Sequence, residues 1–462
     1  MTQTVLLPQP TVRERSGRPV TRAGKSYFIR TFGCQMNEHD SERIAGLFES
    51  DGMTPTDGYA AADVVYINTC TIRENADNRM YGNLGQLKAI KDVNPDMLLV
   101  VGGCAAQKDR DLVRSKAPWV DVVMGTHNLD RVLDLMDHAE QWGPITEVVD
   151  ELQAMPSSLP VRRELEHSAW VTIQVGCNNT CTFCIVPSVR GVEVSRRPGD
   201  IVREVERLVS DGVVEVTLLG QNVDTYGRDL AIGGRRRPIF ADLLRRVGEV
   251  DGIRRVRFTS PHPNDFREDV ARAMAETPAV CEQLHFPLQS GSDRILAAMH
   301  RGYHRRKYME RLAMARETIP GLTVSTDIIV GFPGETDDDF ELTMEVVEEA
   351  RFDQAFMFIF SPRPGTAAAA MSSEFLPEEV IQERFNRLVE AQNRISGELN
   401  RKMVGTRVEV LSEGPSKKDP GVATTRTRTG KVVHVPGDHG SGVFLDVRID
   451  SAAMHHLMGT PV

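Results

Sequence analysis

The feature of this sequence that most restricts its fold is a series of six short apolar segments between residues 169 and 362. The segments are AWVTIQV, EVTLLG, RRVRFTS, QLHFPLQ, LTVSTDIIVG and DQAFMFIFS. Helical stretches such as DIVREVERLVSDG and DRILAAMH separate most of them. Strands that alternate with helices form a parallel sheet covered by helices. Six such units predict an incomplete parallel barrel at residues 169–395, with its chemistry at the carboxyl ends of the strands.

The amino-terminal part of the chain predicts a second parallel sheet with helices on its faces, at residues 26–142. Three segments, SYFIRTFGC, DVVYINTC and MLLVVGGC, indicate strands that end at Cys34, Cys70 and Cys104. SERIAGLFESDG indicates a helix that Gly52 closes. Residues 143–168 are rich in Pro, Ser and charge, as expected of a linker. Residues 1–25 lack the apolar core of a signal peptide, and a solvated, disordered arm is favoured over a transit peptide.

The carboxyl-terminal part predicts a helix followed by a small antiparallel β-barrel of the oligonucleotide-binding type at residues 396–462. The helix runs from about Glu379 to Met403, with Ile381, Phe385, Leu388, Ile395 and Leu399 on one face. TRVEVLSEG, GKVVHV and VFLDVRID then alternate apolar and polar residues, as strands do. The fold class is therefore α/β with a β-barrel at its end.

Charge distinguishes this last part from the rest of the chain. Residues 401–440 hold eight Lys or Arg against four Asp or Glu, whereas the whole chain has a net charge of −10. A solvated charged face and a nucleic-acid-binding barrel both agree with this balance. The alternating threonines and basic residues of TRTRTGK favour the second interpretation.

Cysteine usage indicates the chemistry. The chain has seven cysteines and no secretion signal, so we do not expect a disulfide framework. We expect the protein to work in a reducing cytoplasm. No apolar run reaches the length of a membrane span, so no membrane association is expected. In such a compartment clustered cysteines more often bind a metal or serve redox chemistry.

Three cysteines stand close together in GCNNTCTFCIVPSVRG, at Cys177, Cys181 and Cys184. Zinc and an iron–sulfur cluster are both candidates. Structural zinc prefers four ligands, commonly as two pairs, yet no second pair is present and no histidine lies between His167 and His262. A four-iron cluster on three cysteines leaves one iron open. We therefore expect a substrate or cofactor to be the fourth ligand.

Cys34, Cys70 and Cys104 allow two interpretations. Each ends a predicted parallel strand, and ligands bind outside the carboxyl ends of such strands. The three thiols could converge on one cluster, or they could be separate buried core thiols. The pattern alone favours neither. Cys281 precedes a strand and is expected to be a buried thiol.

The cysteine stretch resembles the signature of the radical S-adenosylmethionine superfamily, C-x3-C-x-φ-C, with Phe183 as its aromatic residue. This resemblance implies a four-iron cluster on Cys177, Cys181 and Cys184 whose open iron binds S-adenosylmethionine. In that superfamily, an electron from the cluster cleaves the cofactor to a 5′-deoxyadenosyl radical. The protein then positions and shields the reactive groups.

The chain as a whole resembles the methylthiotransferase family, from about residue 26 to 450. The resemblance is carried by TFGCQMNEHDSERI, INTCTIRENA, VVGGCAAQ, GCNNTCTFCIVPSVRG, LLGQNVDTYG, FTSPHPNDF, PLQSGSDRIL, DIIVGFPGET and FSPRPGTAAAAM. It implies that Cys34, Cys70 and Cys104 bind a second [4Fe-4S] cluster and that the final barrel is a TRAM domain. It also places the GFPGE loop, with Gly331, Gly334 and Glu335, near S-adenosylmethionine, although its glycines could equally make a tight turn. Phe183 is a further candidate for cofactor contact as the aromatic residue of the cysteine motif. Gln221 and Asn222, at the end of the second predicted barrel strand, are polar candidates that could instead cap a helix. Ser188 departs from the family, which more often has tyrosine there.

The motifs CQMNEHDS and TIREN are similar to the branch that modifies isopentenyladenosine in tRNA. The expected reaction uses one S-adenosylmethionine as methyl donor and another as radical source to methylthiolate C2 of that adenosine, in the anticodon stem-loop. The alternatives are threonylcarbamoyladenosine or a ribosomal protein residue as substrate, and a noncatalytic iron–sulfur RNA-binding or cluster-carrier protein. We expect a cytoplasmic monomer that takes electrons from a donor such as flavodoxin.

Overall fold

The computed structural model describes residues 21–71, 74–150, 159–231 and 236–462. These residues divide into two compact units. The first holds the described residues up to 164 together with 175–178 and 184–194. The second holds residues 165–174, 179–183 and 195–462. The domain boundaries expected at residues 143, 169 and 396 stay a prediction.

The first unit is built on a six-stranded sheet in the order β2-β1-β3-β4-β5-β6, and every pair in it is parallel. Its strands are β1 (Ser26–Thr31), β2 (Thr54–Pro55), β3 (Val64–Thr69), β4 (Leu98–Gly103), β5 (Val122–Met124) and β6 (Ile145–Glu147). Its helices are α1 (Gln35–Ser50), α2 (Glu74–Val93), α3 (Cys104–Asp109), α4 (Asp111–Lys116), α5 (Val132–Trp142) and α6 (Val186–Arg190). The predicted α/β sheet is confirmed.

Helices cover both faces of this sheet, as the continuously apolar strands require. In β3, Val64 and Tyr66 pack into a core with α1 and α5, while Val65 and Ile67 pack into a second core with α2 and α4. All six residues of β3 are buried. The sheet is therefore the middle layer of a three-layer unit.

Two differences from the sequence expectations concern the ends of this unit. Part of the expected arm is ordered: Arg22 is 2% exposed and pairs with Asp51 at 2.9 Å, Asp137 at 2.8 Å and Glu140 at 2.7 Å. Residues 1–20 lie outside the described residues. Strand β6 lies inside the segment expected to be a linker, of which residues 151–158 are outside the described part.

The second unit contains a partial barrel and a smaller closed barrel. The next strands are β7 (Ser168–Thr172), β8 (Gln174–Val175), β9 (Val194–Ser195), β10 (Glu215–Leu219), β11 (Arg255–Phe258), β12 (Gln283–His285), β13 (Thr323–Val330) and β14 (Gln354–Ile359). The helices are α7 (Pro198–Ser210), α8 (Phe240–Gly248), α9 (Glu268–Glu276), α10 (Asp293–Ala298), α11 (Arg305–Thr318), α12 (Asp337–Ala350) and α13 (Glu378–Arg401).

All six strands predicted for the partial barrel are present. They form two parallel three-stranded sheets, β7-β10-β11 and β12-β13-β14, and a bridge between Val256 and Val280 continues from the first toward the second. One large core joins the strands to their helices. The predicted apolar face of α13 packs on this core through Leu388 and Ile395, which are buried.

The chain ends in a closed five-stranded barrel in the order β15-β16-β17-β19-β18. Its strands are β15 (Arg407–Pro415), β16 (Val422–Thr427), β17 (Val432–Pro436), β18 (Ser441–Ala452) and β19 (Leu457–Pro461). Four of the pairs are antiparallel, as expected, while β17 and β19 pair in parallel. Closure removes the exposed strand edges of so small a sheet.

Among the helices of the described chain, none combines the length and apolar character that a bilayer crossing needs.

Candidate functional site

The sequence-predicted cysteines of the first unit lie at the carboxyl ends of three adjacent strands. Cys34, Cys70 and Cys104 directly follow, or closely follow, β1, β3 and β4. The sheet order places β1 between β2 and β3, so the chain reverses direction across the sheet at this point. Such a reversal opens a crevice outside the strand ends, where ligands of α/β sheets bind. The structure thus brings this trio together.

Asn37, in the first turn of α1, lies within the trio. Its Oδ1 is 3.8 Å from the Cys34 Sγ and 3.9 Å from the Cys104 Sγ. Its Nδ2 donates to the Thr69 carbonyl at 2.9 Å and to the Asn68 Oδ1 at 3.1 Å. Because Asn37 is fully buried, these bonds fix the cysteine-bearing ends of the strands relative to α1.

Gly33 allows Cys70 to lie close to the turn that carries Cys34. A Cβ on Gly33 would lie 3.0 Å from the Cβ of Cys70, and the φ of Gly33 is +144°. Any other residue at this position would press on Cys70 and strain the backbone. The turn between β1 and α1 therefore requires glycine to hold Cys34 beside Cys70.

A buried cation faces the same trio. Arg190, the last residue of α6, pairs with Asp40 at 2.8 Å, and both side chains are 5% exposed. It also donates to the Asn37 Oδ1 at 3.1 Å. Burial lowers the pKa of Arg190, but Asp40 and the thiols of Cys104 and Cys34 raise it by more, so the guanidinium stays charged. Burial raises the pKa of the Cys104 thiol to about 11, and Arg190 acts against that rise.

The donor set of the first trio consists of three thiols. Cysteine thiolates hold four-iron clusters, each on a separate iron. Three thiols with a buried cation beside them are suited to a cluster that carries negative charge.

The second cysteine trio lies on the loop between β8 and α6, where the sequence predicts it. At the start of this loop Cys177 donates its N–H to the Gly191 carbonyl at 3.1 Å. Asn178 and Glu193 exchange hydrogen bonds, with the Asn178 N–H donating at 3.3 Å and the Glu193 N–H at 3.1 Å. Cys177 and Cys184 belong to the same compact unit as the first trio. These bonds give the loop its shape.

Cys181, in the second unit, has a buried arginine of its own. The Arg301 guanidinium donates to the Cys181 Sγ at 3.3 Å and to the Tyr303 hydroxyl at 3.1 Å. The hydroxyl of Tyr303 in turn donates to the carbonyls of Pro287 and Leu288 at 2.9 and 3.0 Å. Arg301 is 6% exposed. Each trio therefore has one buried cation fixed against a cysteine.

Thr182 and Phe183 attach the loop to the partial barrel. The Thr182 N–H donates to Met299 at 3.1 Å, and its hydroxyl donates to Ala298 at 2.9 Å. Phe183 packs against an apolar cluster that includes Met299 and Phe332. These contacts hold the loop over α10. The predicted role of Phe183 toward S-adenosylmethionine stays a prediction.

The carboxyl ends of β10 and β11 carry buried polar atoms without a hydrogen-bond partner among the described residues. They are Asn222 Oδ1, Asp224 Oδ1 and His262 Nε2. Asn222 donates to Asp265 at 2.9 Å, and Asp224 accepts from the His262 N–H at 2.8 Å. An unsatisfied buried polar atom is costly, so these three atoms are candidates for contact with a polar ligand. Gln221, which precedes this group, is half-buried.

Burial sets the charge of this group. It lowers the pKa of His262 to about 2, with Arg301, Lys307 and Arg311 contributing, and it raises the pKa of Asp224 well above its usual value. The imidazole is therefore neutral at physiological pH. Backbone strain falls at the same edge, since Ser260 and Gln289 have φ of +58° and +72°. Strained residues of this kind cluster at ligand sites.

The loop GFPGE follows β13, with φ of +76° at Gly331 and +75° at Gly334. Glu335 is 4% exposed, and its carboxylate accepts from the Gly331 N–H at 3.0 Å and pairs with Arg384 at 2.8 Å. Burial raises the pKa of Glu335 while these two partners lower it. The carboxylate thus shapes the loop from inside. The cofactor roles predicted for these three residues stay a prediction.

The basic segment of the last barrel is occupied by contacts within the second unit. Arg428 pairs with Glu282 at 2.8 Å, Arg426 with Glu413 at 2.6 Å, and Lys431 with Asp353 at 2.8 Å. The TRTRTGK segment was expected to present its charges to nucleic acid. These three side chains are instead neutralised by carboxylates, so the barrel's free charge lies elsewhere.

Three family models match the chain. They are "Radical SAM superfamily" over residues 171–347, "Uncharacterized protein family UPF0004" over residues 26–125, and "TRAM domain" over residues 401–462. Together with the partial barrel and its cysteine loop, these matches define a radical S-adenosylmethionine enzyme with a TRAM barrel at its end.

Relatives narrow this class to a family. A protein of Corynebacterium jeikeium named tRNA-2-methylthio-N(6)-dimethylallyladenosine synthase is 52% identical, over 99% of this chain and 89% of its own length. One of Saccharopolyspora erythraea with the same name is 53% identical, over 94% of this chain and 89% of its own length. This chain belongs to the tRNA-2-methylthio-N(6)-dimethylallyladenosine synthase family.

Two solved structures share the fold. Both are of the radical S-adenosylmethionine methyltransferase TsrM from Kitasatospora setae. The one with cobalamin and a [4Fe-4S] cluster has a TM-score of 0.53 and covers 75% of this chain and 74% of its own. The one with tryptophan and aza-SAM has a TM-score of 0.54 and covers 84% of this chain and 78% of its own. At 13% identity these likenesses concern the fold alone.

Several residues of these sites were not singled out from the sequence. Asn37 and Asp40 stand inside the CQMNEHDS motif, which indicates the family and the substrate branch but gives these two residues no role. Arg190 stands in the SVRG that follows the cysteine loop. His262 lies in FTSPHPNDF and Arg301 directly follows DRILAAMH, but no pattern in the sequence indicates a role for either residue. Of TIREN, Ile72 and Arg73 lie outside the described residues. Cys281 is 2% exposed, which confirms the expected buried thiol.

Proposed function

We infer that this chain methylthiolates C2 of N6-isopentenyladenosine next to the anticodon of tRNA. It uses two S-adenosylmethionine molecules, one as methyl donor and one as radical source. Membership in a family whose curated members carry that name over nearly the whole chain is the observation that carries this conclusion. The cofactors are S-adenosylmethionine and [4Fe-4S] clusters.

The first cluster would be held by Cys34, Cys70 and Cys104, and the second by Cys177, Cys181 and Cys184. Support for the first comes from the convergence of its trio around Asn37 and from the cation at Arg190. Support for the second comes from the family match over its loop. When bound, these groups supply the methyl-accepting sulfur and the electron that cleaves S-adenosylmethionine. The residues of the chain hold, shield and charge-balance them.

S-adenosylmethionine would contact the loop residues predicted for it. These are Phe183, Gln221, Asn222, Gly331, Gly334 and Glu335. The unsatisfied oxygen of Asn222 supports this assignment, and Asp224 and His262 join it because their free polar atoms lie at the same edge. The positive φ of Gly331 and Gly334 supports close backbone approach to a ligand.

The target base would be taken from the single-stranded anticodon loop, where it can be turned out and read. The substrate is a tRNA, and the TRAM barrel contributes to holding it. Because Arg426, Arg428 and Lys431 are paired, phosphate contacts would fall to exposed cations such as Lys417 and Lys418. Phosphate contacts position the RNA, while base recognition occurs elsewhere.

We further propose that the enzyme is a cytoplasmic monomer that takes electrons from a donor such as flavodoxin. Cleavage of S-adenosylmethionine consumes one electron that neither substrate supplies. Clusters on cysteine thiolates and a tRNA substrate both suit a reducing cytoplasm.

The test uses the reconstituted full chain under anaerobic conditions, with S-adenosylmethionine, dithionite and two anticodon stem-loops, one that carries isopentenyladenosine and one that carries threonylcarbamoyladenosine. Nucleoside mass spectrometry should detect the 2-methylthio product, and 5′-deoxyadenosine should accumulate. Methylthiolation of threonylcarbamoyladenosine instead would contradict the assigned substrate. Deoxyadenosine without any methylthio product on either loop would contradict the reaction.

A further inference from the structure

The inner face of the sheet β12-β13-β14 is only half covered. Along β13, alternate residues are buried, and Val324, Ile328 and Val330 belong to the core shared with the helices. Asp327 and Ile329 point to the other side and are half-buried. Since side chains alternate between the two faces of a strand, this other side is the inner face of the partial barrel.

Two phenylalanines on β14 belong to this inner face. Phe356 is paired in register with Asp327, and Phe358 with Ile329. Their neighbours Ala355 and Met357 pack on the core instead. Phe356 is 44% exposed and Phe358 is 36% exposed. Both rings are therefore large apolar groups that remain partly exposed among the described residues.

A fixed imidazole adjoins these rings. His285 on β12 has its Nδ1 3.0 Å from the Ser325 Oγ and its Nε2 3.2 Å from the Asp327 Oδ2. Its ring centre lies 5.8 Å from that of Phe356, at 67°. Because both ring nitrogens have partners on β13, the imidazole is held in one orientation. The inner face thus combines two exposed aromatic rings with an oriented polar pair.

The last barrel packs against the amino ends of these strands. The Thr323 hydroxyl donates to the Thr429 carbonyl at 2.8 Å, and a cavity of about 180 Å³ lies beside it, lined by Ser325, Gln354 and Lys431 among others. This cavity is polar. Phe356 and Phe358 lie two and four residues beyond Gln354 along β14, nearer to the carboxyl ends, where the chemistry of such barrels lies.

We propose that Phe356 and Phe358, with His285 and Asp327 beside them, receive the isopentenyladenosine. The rings contact the five-carbon tail and stack on the base, and the Asp327 carboxylate, oriented by His285, faces the hydrogen-bonding edge of the base. This proposal rests on the proposed function. Turned-out bases stack on aromatic side chains, and an exposed apolar patch rimmed by polar groups marks a binding site. A prenylated purine has this same division into an apolar tail and a polar edge.

The experiment compares the wild type with Phe356→Ala, Phe358→Ala and the double variant. Each is given two anticodon stem-loops that differ only in the isopentenyl group. Trp142→Ala serves as the matched control, since Trp142 is 78% exposed at the end of α5 and far along the chain from this face. Phe356→Leu keeps an apolar side chain without an aromatic ring and separates tail contact from stacking.

The wild type should prefer the prenylated loop, and the double variant should lose about ten- to a hundredfold of that preference in kcat/KM. Trp142→Ala should keep it, and Phe356→Leu should keep part of it. All variants should still form 5′-deoxyadenosine from S-adenosylmethionine, which shows that the barrel and its cluster loop are intact.

An unchanged preference in the double variant would overturn the proposal, and so would equal losses on the two loops. If the wild type itself made no methylthio product, the proposed function would fail instead, so the two failures are distinct. If the exposed rings bind a second copy of the chain, the wild type would be a dimer by analytical ultracentrifugation that Phe356→Ala dissociates. That result would also overturn the proposal.

Discussion

At the residue scale, the two cysteine trios are expected to do separate work. Cys34→Ala should retain about four of about eight iron atoms, since each four-iron cluster accounts for four. It should still cleave S-adenosylmethionine yet make no methylthio product. Cys181→Ala should also keep half the iron, but it should form no 5′-deoxyadenosine. Iron analysis and product chromatography measure both outcomes, with circular dichroism to show that each variant is folded.

A folded Cys34→Ala protein with its full iron and full methylthiolation would contradict this division. The amino-terminal cysteines would then be buried thiols that bind no cluster.

The buried cation at Arg190 should set the reduction potential of the first cluster. A fixed positive charge stabilises the reduced, more negative state, so Arg190→Gln should lower the potential, by about 60 mV if the interaction is worth a tenfold change in the one-electron equilibrium. Asp40→Asn should shift it in the opposite direction, and Arg190→Lys should stay near the wild type. Redox titration followed by electron paramagnetic resonance measures the three shifts.

Equal shifts of the same sign in Arg190→Gln and Asp40→Asn would indicate that the pair acts only by holding the fold. Such a result would contradict an electrostatic role.

The close spacing of Cys177, Cys181 and Cys184 indicates a cluster site from the sequence itself. For Cys34, Cys70 and Cys104 the strand ends indicate only that the thiols lie at the reactive edge of a parallel sheet, and the family resemblance is what implies a shared cluster. Arg190 could not be found in this way. It contacts Asp40 across 150 residues of sequence, and no local periodicity encodes that distance. The same holds for Arg301 and Cys181, which are 120 residues apart.

At the scale of elements, the hairpin of β16 and β17 attaches the last barrel to the partial barrel. Arg428 makes a two-bond pair with Glu282 and donates to the carbonyls of Pro278 and Val280, both at 2.9 Å. In addition, Arg257 donates to the carbonyls of Thr427 and Arg428 at 2.9 and 2.7 Å. The side chain of Arg428 and the carbonyls of this turn therefore bind the last barrel to the partial barrel.

Arg428→Ala should weaken this attachment. Its side chain is 27% exposed and that of Glu282 is 29% exposed, so the loss should be modest, about 1 to 2 kcal/mol of unfolding free energy. Urea denaturation measures it, and Lys417→Ala, at an exposed site, is the matched control. The two variants should change places in tRNA binding. Lys417→Ala should reduce the slope of log affinity against log salt concentration by about one, whereas Arg428→Ala should leave that slope unchanged.

If Arg428→Ala flattened the salt slope and left the urea midpoint unchanged, the segment would bind phosphate as its sequence suggested. The docking role would then be wrong. The composition of TRTRTGK indicates charge but not the partner of each charge. Glu282 and Asp353, the partners of Arg428 and Lys431, lie 146 and 78 residues away along the chain, so no local pattern reveals them.

At the scale of the whole molecule, the partial barrel and the closed barrel share one compact unit. Arg255, at 0% side-chain exposure, pairs with Glu409 at 3.0 Å and donates to the Arg426 carbonyl at 2.8 Å. Removing the barrel would take both of these partners from Arg255 and leave it the longer pair with Glu215, at 4.0 Å. A buried charge that loses its partner costs several kcal/mol.

Truncation after Met403 should therefore destabilise the partial barrel as well as weaken tRNA binding. The sequence alone predicted mainly the loss of binding, since its charge balance says nothing of docking. Urea unfolding, monitored by hydrogen exchange in residues 165–403, measures the loss of stability through its midpoint. A salt series of tRNA binding measures the loss of affinity. An unchanged midpoint together with lost binding would restore the simpler expectation.

The first unit is not a continuous stretch of chain, because residues 175–178 and 184–194 complete it. During synthesis, the ribosome must add about thirty residues beyond Glu164 before this unit has all its parts, which takes a few seconds at about 5–20 residues per second. Until then Asp40 lacks Arg190, the partner that balances it in the finished protein. A nascent or excised segment that ends before residue 190 thus has a carboxylate at Asp40 without this cation. We expect the first unit to complete its folding only after the segment that carries Arg190 has emerged.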